Sequence, residues 1–280
     1  MIPYISVPPI PMIDDGLAIH PFGIMVAWGI MAGSFLTINH VRRLGLSSHK
    51  ARNMIFWTLL AGFGFSHIFD VMAYQYNRFT TIGMFMLALL NPRSGLSSMG
   101  GFIGAVCGLW AWCRRNDPRE MLAYADSLAF GLAPGWAFGR LGCMLAHDHP
   151  GIPTKFFLGI DYPCPSTFCA PPQAWISGSS VFRRHDMALY EVLIALLLTL
   201  LLFCARPFKP PKGFCLLVIM AFYSPIRFVL DFFRVESNWG ADPRYYGLTP
   251  AQYIALLFII IFPFVYRRVM NSSQVEYPSF

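Results

Sequence analysis

Residues 16–41, GLAIHPFGIMVAWGIMAGSFLTINHV, run for 26 residues without an Asp, Glu, Lys or Arg. A helix rises about 1.5 Å per residue, so roughly 20 apolar residues cross the hydrocarbon core of a bilayer. This stretch is long enough. Three more charge-free runs are of similar length: Asn53–Phe69 with 17 residues, Ser94–Cys113 with 20 and Tyr245–Tyr266 with 22. Three further apolar segments, 119–141, 186–205 and 213–235, carry isolated charges. Together they predict an all-α, polytopic integral membrane protein, a single domain over residues 1–280 with seven transmembrane helices. Phe79–Pro92 is 14 residues without charge, short for a span, and predicts an interfacial or re-entrant arm at 75–95.

Composition agrees. Only 12% of the 280 residues are charged, against roughly 25% in a soluble domain, while 56% are hydrophobic and the mean hydropathy is +0.51. That excludes a soluble enzyme, a disordered chain and a nucleic-acid binder. The net charge of +7 is no basic patch, because the Lys and Arg residues are scattered between apolar blocks. Helix starts support the count. Asp117-Pro118-Arg119-Glu120 and Thr249-Pro250-Ala251-Gln252 each offer an N-cap, a Pro at the first helical position and a capping-box residue.

Loop charges set the expected orientation. With the N-terminus outside, the inner loops hold Arg42, Arg43, Lys50, Arg52, Arg114, Arg115, Arg119, Arg206, Lys209, Lys212, Arg267 and Arg268, which is 12. The outer loops hold Arg78, Arg93, Lys155, Arg183, Arg184 and Arg244, which is 6. This favours N-out and C-terminus cytoplasmic. The first 41 residues have no Lys or Arg, and so no basic signal-peptide start. No internal repeat is visible, which argues against an inverted-repeat transporter. The long loop 143–185 would be extracytoplasmic. Cys164 and Cys169 within it are a candidate short-loop disulfide, while Cys107, Cys113, Cys143, Cys204 and Cys215 read as packing residues.

Charge at membrane depth is costly and marks function by default. Three clusters qualify. Gly139-Arg140-Leu141-Gly142-Cys143 places a guanidinium at head-group level, suited to a phosphodiester, between two glycines that let a ligand or helix approach. An interfacial Arg that snorkels is the alternative. Tyr223, Arg227, Asp231 and Arg234 follow i, i+4, i+8, i+11 and form one stripe. It reads as a polar cavity wall with Arg227 paired to Asp231 and Arg234 unmatched, or as helix-joining ion pairs. Arg183-Arg184-His185-Asp186 precedes Leu189-Tyr190-Glu191, where Glu191 could pair with one of the two arginines. His147, Asp148 and His149, with His185 and Asp186, suggest a metal site, but the spacing is not diagnostic. No metal and no cofactor are expected.

The motifs, in order, resemble the prolipoprotein diacylglyceryl transferase family. Ile19-His20-Pro21-Phe22-Gly23-Ile24-Met25 resembles its first-helix entry, and Gly95–Gly101 its Gly-Met-Ser-Phe-His-Gly-Gly segment. Gly139-Arg140-Leu141-Gly142 matches the start of the family signature and Gly151 its closing glycine. Arg184–Glu191 resembles Arg-His-Pro-Ser-Gln-Leu-Tyr-Glu, and Arg227–Arg234 resembles Arg-Phe…Glu-Phe-Phe-Arg. Gly247–Gln252 resembles its Leu-Thr-x-x-Gln. The resemblance implies seven spans and a bacterial cytoplasmic (inner) membrane location. It implies transfer of a diacylglyceryl group from phosphatidylglycerol to the lipobox cysteine of a prolipoprotein signal peptide, forming a thioether. The partners are those two substrates and the lipid bilayer, with no nucleic acid.

The implied catalytic residues are Arg140 and Arg227 for the phosphate, with Tyr223 and Asp231. Gly139, Gly142, Gly151, Asp148, Arg234, Gly100, Gly101, Tyr190 and Glu191 are implied in substrate binding. Several positions depart from the family pattern. Met99 stands where the family has His, Phe22 for a Tyr, Cys143 for an Asn, and Asp148 and Asp231 for Glu. Methionine cannot relay a proton, so His147, His149 or His185 is expected to supply the base, with His67 a weaker candidate. Cys143 as a covalent nucleophile is a further alternative. A phospholipid-using transferase with another acceptor, and a non-catalytic lipid transporter or binding protein, are the competing readings.

Overall fold

A computed structural model describes residues 2–5, 7–13, 17–75, 79–91, 95–163, 181–236 and 242–274. The candidate disulfide of Cys164 and Cys169, and Arg78 and Arg93 of the loop count, lie outside the described residues.

The chain starts with β1 (Ile2–Pro3) and a small hairpin of β2 (Ile10–Ile13) and β3 (Leu17–Ile19). Helix α1 (Pro21–Arg43) follows, its Pro at a position where a missing N–H costs nothing. The hydroxyl of Ser47 caps α2 (Ser48–Phe69), which runs on into a π-helical turn at Asp70–Tyr74. The charge-free segment at 79–92 contains α3 (Ile82–Leu90), nine residues with no buried side chain. Ser97 caps α4 (Ser98–Asn116), and α5 (Met121–Ala146) follows. Asp186 caps α6 (Met187–Ala205), which leads to α7 (Phe214–Leu230) and α8 (Pro250–Gln274).

Of the two expected capping boxes, one forms. The Thr249 hydroxyl accepts from the Gln252 N–H at 3.2 Å, and the Gln252 side chain accepts from the Thr249 N–H at 2.9 Å. Asp117 makes no cap. Its carboxylate pairs with Lys50 at 2.8 Å, Pro118–Glu120 is a 3-10 turn, and Glu120 pairs with Lys212 at 3.3 Å. Three hairpins are thereby tied at the arginine-rich end. There too, Asp126 of α5 accepts the N–H groups of Cys215 and Leu216 at 2.6 and 3.2 Å, capping α7 from its neighbour.

Six helical segments, containing α1, α2, α5, α6, α7 and α8, are long and apolar enough to cross a membrane. Helix α4 is not among them. Glycines, two tryptophans and the Arg114-Arg115 pair dilute its apolar content, although it lies along α2 as α1 lies along α5. Large apolar side chains point outward all round the bundle, among them Phe35, Leu200, Ile260 and Phe264. A protein in water could not sustain such a belt. Helices α1 and α5 approach closely because Gly131 has no side chain. A Cβ there would sit 2.2 Å from Thr37 Oγ1 and 2.3 Å from the Gly33 carbonyl oxygen.

The all-α expectation needs one amendment. The loop after α5 forms β4 (Pro150–Pro153), β5 (Ile160–Pro163) and β6 (Val181–Asp186), which join β1 in a four-stranded sheet ordered β1-β5-β6-β4. Residues alternate as a sheet demands: Ile160, Tyr162, Arg184 and Asp186 are buried, while Asp161, Arg183 and His185 are half-exposed. This sheet sits over one end of the bundle. Gly151 bridges to Arg234, and Tyr245 donates to the Ala73 carbonyl at 2.6 Å, so the loops at that end form one cap.

Candidate active site

A cavity of about 880 Å³ opens among α1, α2, α4 and α5 beneath the sheet. Its flanks are apolar, with Val26, Ile30, Leu59, Phe102 and Leu128. Its charged groups include Arg140, Asp148, His149, Arg227, Arg234 and Asp242.

The organising group is Glu191, fully buried one turn into α6. Its Oε2 lies 3.0 Å from Arg140 Nε and accepts the Tyr223 hydroxyl at 2.5 Å, while Oε1 accepts Arg227 Nη1 at 3.1 Å. Sequence reading placed Glu191 beside Arg183 or Arg184; the structure overturns that. Arg183 pairs with Asp161 across the sheet at 2.6 Å, and Arg184 donates to the Gly151 carbonyl at 3.1 Å. One carboxylate on α6 thus joins α5 and α7. Arg140 also lies over the Trp136 ring at 4.5 Å. Arg140 Nε and Nη2 and Arg227 Nε make no hydrogen bond among the described residues, so Arg140 meets Glu191 as an ion pair.

The expected Arg227–Asp231 pair is present at 2.7 Å. Asp231 is fully buried in the 3-10 turn Asp231–Phe233 that follows α7 and accepts from the Thr249 hydroxyl, so the capping box of α8 also anchors that turn. Arg234, expected to be unmatched, pairs with Asp242, a residue the sequence did not single out. Arg140, Arg227 and Arg234 therefore face Glu191, Asp231 and Asp242, three charges of each sign. A buried cluster of this kind is tolerable because it is neutral and hydrogen-bonded.

The other candidates divide. Gly139, Gly101, Asp148 and His149 line the cavity with the arginines; nothing approaches the Gly139 position, so its face is open. Gly100, Gly142 and Gly151 do not line it. A Cβ at Gly100 would meet Phe69 Cβ at 2.4 Å, at Gly142 the Phe22 backbone at 3.2 Å, and at Gly151 the Phe233 carbonyl at 2.7 Å. They are close-packing glycines.

The three histidines also separate. His147, in the left-handed conformation that ends α5, is buried, stacks on Tyr4 and reaches the Ile5 carbonyl at 3.0 Å. It fastens β1 to the bundle. His185 bonds the Tyr190 hydroxyl at 2.7 Å and packs against Phe156 and Phe233; burial lowers its pKa from the ordinary value. His185 and Tyr190 form a structural pair beside the site. Only His149 reaches the cavity, with its Nδ1 on Asp148 Oδ1. His67 spans the Leu89 and Gly95 carbonyls at 3.0 and 3.3 Å, holding the α3 segment to α2. Met99 is buried on the α4 wall, and Phe22 lines the cavity mouth.

In the sheet, the Arg183 hydrogen bond pulls the Asp161 carboxyl below its usual range, and burial followed by Asp186 pushes the Tyr162 hydroxyl up. Among the described residues, two groups hold donor atoms close enough for a metal: His40, Asp126 and Cys215, and Cys143, Asp148 and His149.

The model of the prolipoprotein diacylglyceryl transferase family matches residues 10–267. The chain belongs to this family. It is similar to the phosphatidylglycerol–prolipoprotein diacylglyceryl transferase of Pseudomonas fluorescens, 28% identical over 270 residues and covering 93% of both chains. The enzyme of the same name from Campylobacter lari is 23% identical over 269 residues, 92% of both. A second such transferase of Clostridium perfringens is 27% identical over 246 residues, 88% of this chain and 89% of that one. The matched residues 10–267 include Arg140, Glu191, Arg227 and Met99.

Proposed function

We propose that this protein transfers a diacylglyceryl group from phosphatidylglycerol to the lipobox cysteine of a prolipoprotein, as a seven-span protein of the bacterial cytoplasmic membrane with its N-terminus outside. Helix α4 is the seventh span, and α3 lies at the interface. The observation that carries the reading is the pair Arg140 and Arg227. Both are buried, both line the cavity, and both are paired with Glu191, while Arg140 Nη2 and Arg227 Nε make no hydrogen bond among the described residues.

The apolar flanks accept the acyl chains and the arginine end accepts the head group. Arg140 Nη2 and Arg227 Nε donate to the phosphate oxygens, and Arg234 adds charge from the same side. In the reaction the thiol sulfur attacks the glyceryl carbon that bears the phosphate ester. The S–C bond forms, the C–O bond breaks, and glycerol phosphate leaves with the electron pair. The developing charge falls on oxygens already facing the guanidinium donors, where preorganised groups are most effective. Asp148 and His149 line the cavity and are assigned to the thiol. Asp231 pairs with Arg227, and Tyr223 donates to the Glu191 that holds both arginines, so the two position them.

The test is purified protein with phosphatidylglycerol and a lipobox peptide, read by mass spectrometry. A peptide gain of one diacylglyceryl group supports the reading. Head-group release without peptide modification assigns a different acceptor, and lipid movement without chemistry assigns a transporter. Either result replaces the proposal.

A further inference from the structure

The assignment of Asp148 and His149 to the thiol can be taken further, because a third residue stands with them. Cys143 lies in the last turn of α5, four residues before His147 reverses the chain, and Asp148 and His149 then lead into β4. One donor atom of each, a thiol sulfur, a carboxylate oxygen and a ring nitrogen, lies within 4.8 Å of the other two. Zinc bonds of about 2.0–2.3 Å place tetrahedral donors roughly 3.3–3.8 Å apart, so small side-chain rotations would close the set. All three residues line the cavity. The other such group, His40, Asp126 and Cys215, does not, and its Asp126 is already committed to two backbone N–H groups.

Charge favours occupancy. A thiolate, a carboxylate and a neutral imidazole carry two negative charges, which a divalent ion cancels. Neutrality matters here because Cys143 is buried and Arg140 Nη1 lies 3.9 Å from its sulfur. A soft thiolate ligand selects zinc over magnesium or calcium. Three protein ligands leave a fourth position for substrate, as in catalytic zinc sites.

We propose that Cys143, Asp148 and His149 form a zinc-type metal site whose open position binds the incoming cysteine thiol. This rests on the transferase reading of the cavity. A thiol bound to such an ion is deprotonated outright, its proton passing to solvent. The metal-bound sulfur then forms the S–C bond while the C–O bond to phosphate breaks toward Arg140 and Arg227. Ligation thus supplies a thiolate in a protein whose Met99 cannot accept a proton.

The test uses the full-length protein purified in detergent. Zinc is expected to co-purify, with affinity weakened on the order of 100-fold or more in Cys143→Ser and His149→Ala. Cys215→Ser is expected to retain it. Cobalt exchanged into the unsubstituted protein should show a thiolate-to-metal charge-transfer band. That band should grow on adding a lipobox peptide and not on adding its Cys→Ser counterpart. Absence of the band, retention of metal by Cys143→Ser, or undiminished lipid transfer in metal-free protein overturns the inference. So does a diacylglyceryl adduct on Cys143, which would make that thiol a nucleophile. Metal binding with a peptide-dependent band but no lipid transfer sinks the transferase reading instead and leaves the metal site standing.

Discussion

Glu191→Gln is the most informative single change, because it keeps volume and removes one charge. Glu191 holds three groups: Arg140 as an ion pair at 3.0 Å, and the Tyr223 hydroxyl at 2.5 Å and Arg227 at 3.1 Å by hydrogen bonds. Glutamine offers one acceptor oxygen, and its amide donor must face a guanidinium or a hydroxyl that is itself donating. The cluster also goes from neutral to a net positive charge in a fully buried position. Breaking a buried pair from one side costs about 3–5 kcal/mol. At about 2–4 °C per kcal/mol for a protein near this size, the lower figure means a melting temperature lower by roughly 6–12 °C. Activity should fall further than stability suggests. An arginine displaced by about 1 Å from the phosphate costs on the order of 100-fold in rate. Thermal unfolding in detergent and the peptide lipidation assay read the two effects. A cycle with Arg227→Gln separates them, since the double variant removes both charges and should be less destabilised than the sum of the singles. A Glu191→Gln protein that melts and reacts like the unsubstituted one refutes the reasoning, and additive singles refute the pairing.

Three further outcomes are expected. Arg140→Lys keeps the charge but loses the planar donor set over Trp136, so lipidation should drop about 100-fold while the protein still folds; an unchanged rate removes Arg140 from the phosphate site. Thr249→Val strips Asp231 of its hydroxyl donor and α8 of its cap, lowering stability by about 1–3 kcal/mol, and an unchanged melting temperature speaks against that anchor. The third concerns pH. Burial lowers the folded pKa of His185, so the unfolded chain takes up a proton first as pH falls through about 6.5. Stability should decline from there down to the folded value, and His185→Gln should flatten that part of a melting-temperature profile.

The helices were legible because the membrane imposes one strong rule: a span must be predominantly apolar over about 20 residues. That rule found every long helix and the short α3. It also isolated Arg140, Arg227 and Asp231, since a charge in an apolar run is conspicuous. Partnership was harder to read. Glu191 follows two arginines closely in sequence, yet it points to helices α5 and α7, because side-chain direction on α6 is fixed by helical phase and not by proximity along the chain. Asp242 was overlooked for the opposite reason, lying in a polar loop where a carboxylate draws no notice. The sheet was obscured by its Pro and Gly content, although Ile160–Tyr162 and Arg184–Asp186 do alternate. His147 looked catalytic by its neighbours, but the left-handed turn at that residue sends its ring to Tyr4 and leaves the cavity to His149.

The departures from the family pattern make more sense together than singly. Met99, set by the resemblance where the family has His, leaves that wall of the cavity on α4 without a proton acceptor. Cys143, set by the resemblance where the family has Asn, puts a soft ligand on α5 within 4.8 Å of a carboxylate and an imidazole. Loss of a base alone would leave a neutral thiol, which is a poor nucleophile. Paired, the two changes exchange one route to a thiolate for another and leave Arg140, Glu191 and Arg227 as they are. Met99→His in a Cys143→Asn background should therefore support transfer without metal, whereas Cys143→Asn alone should not.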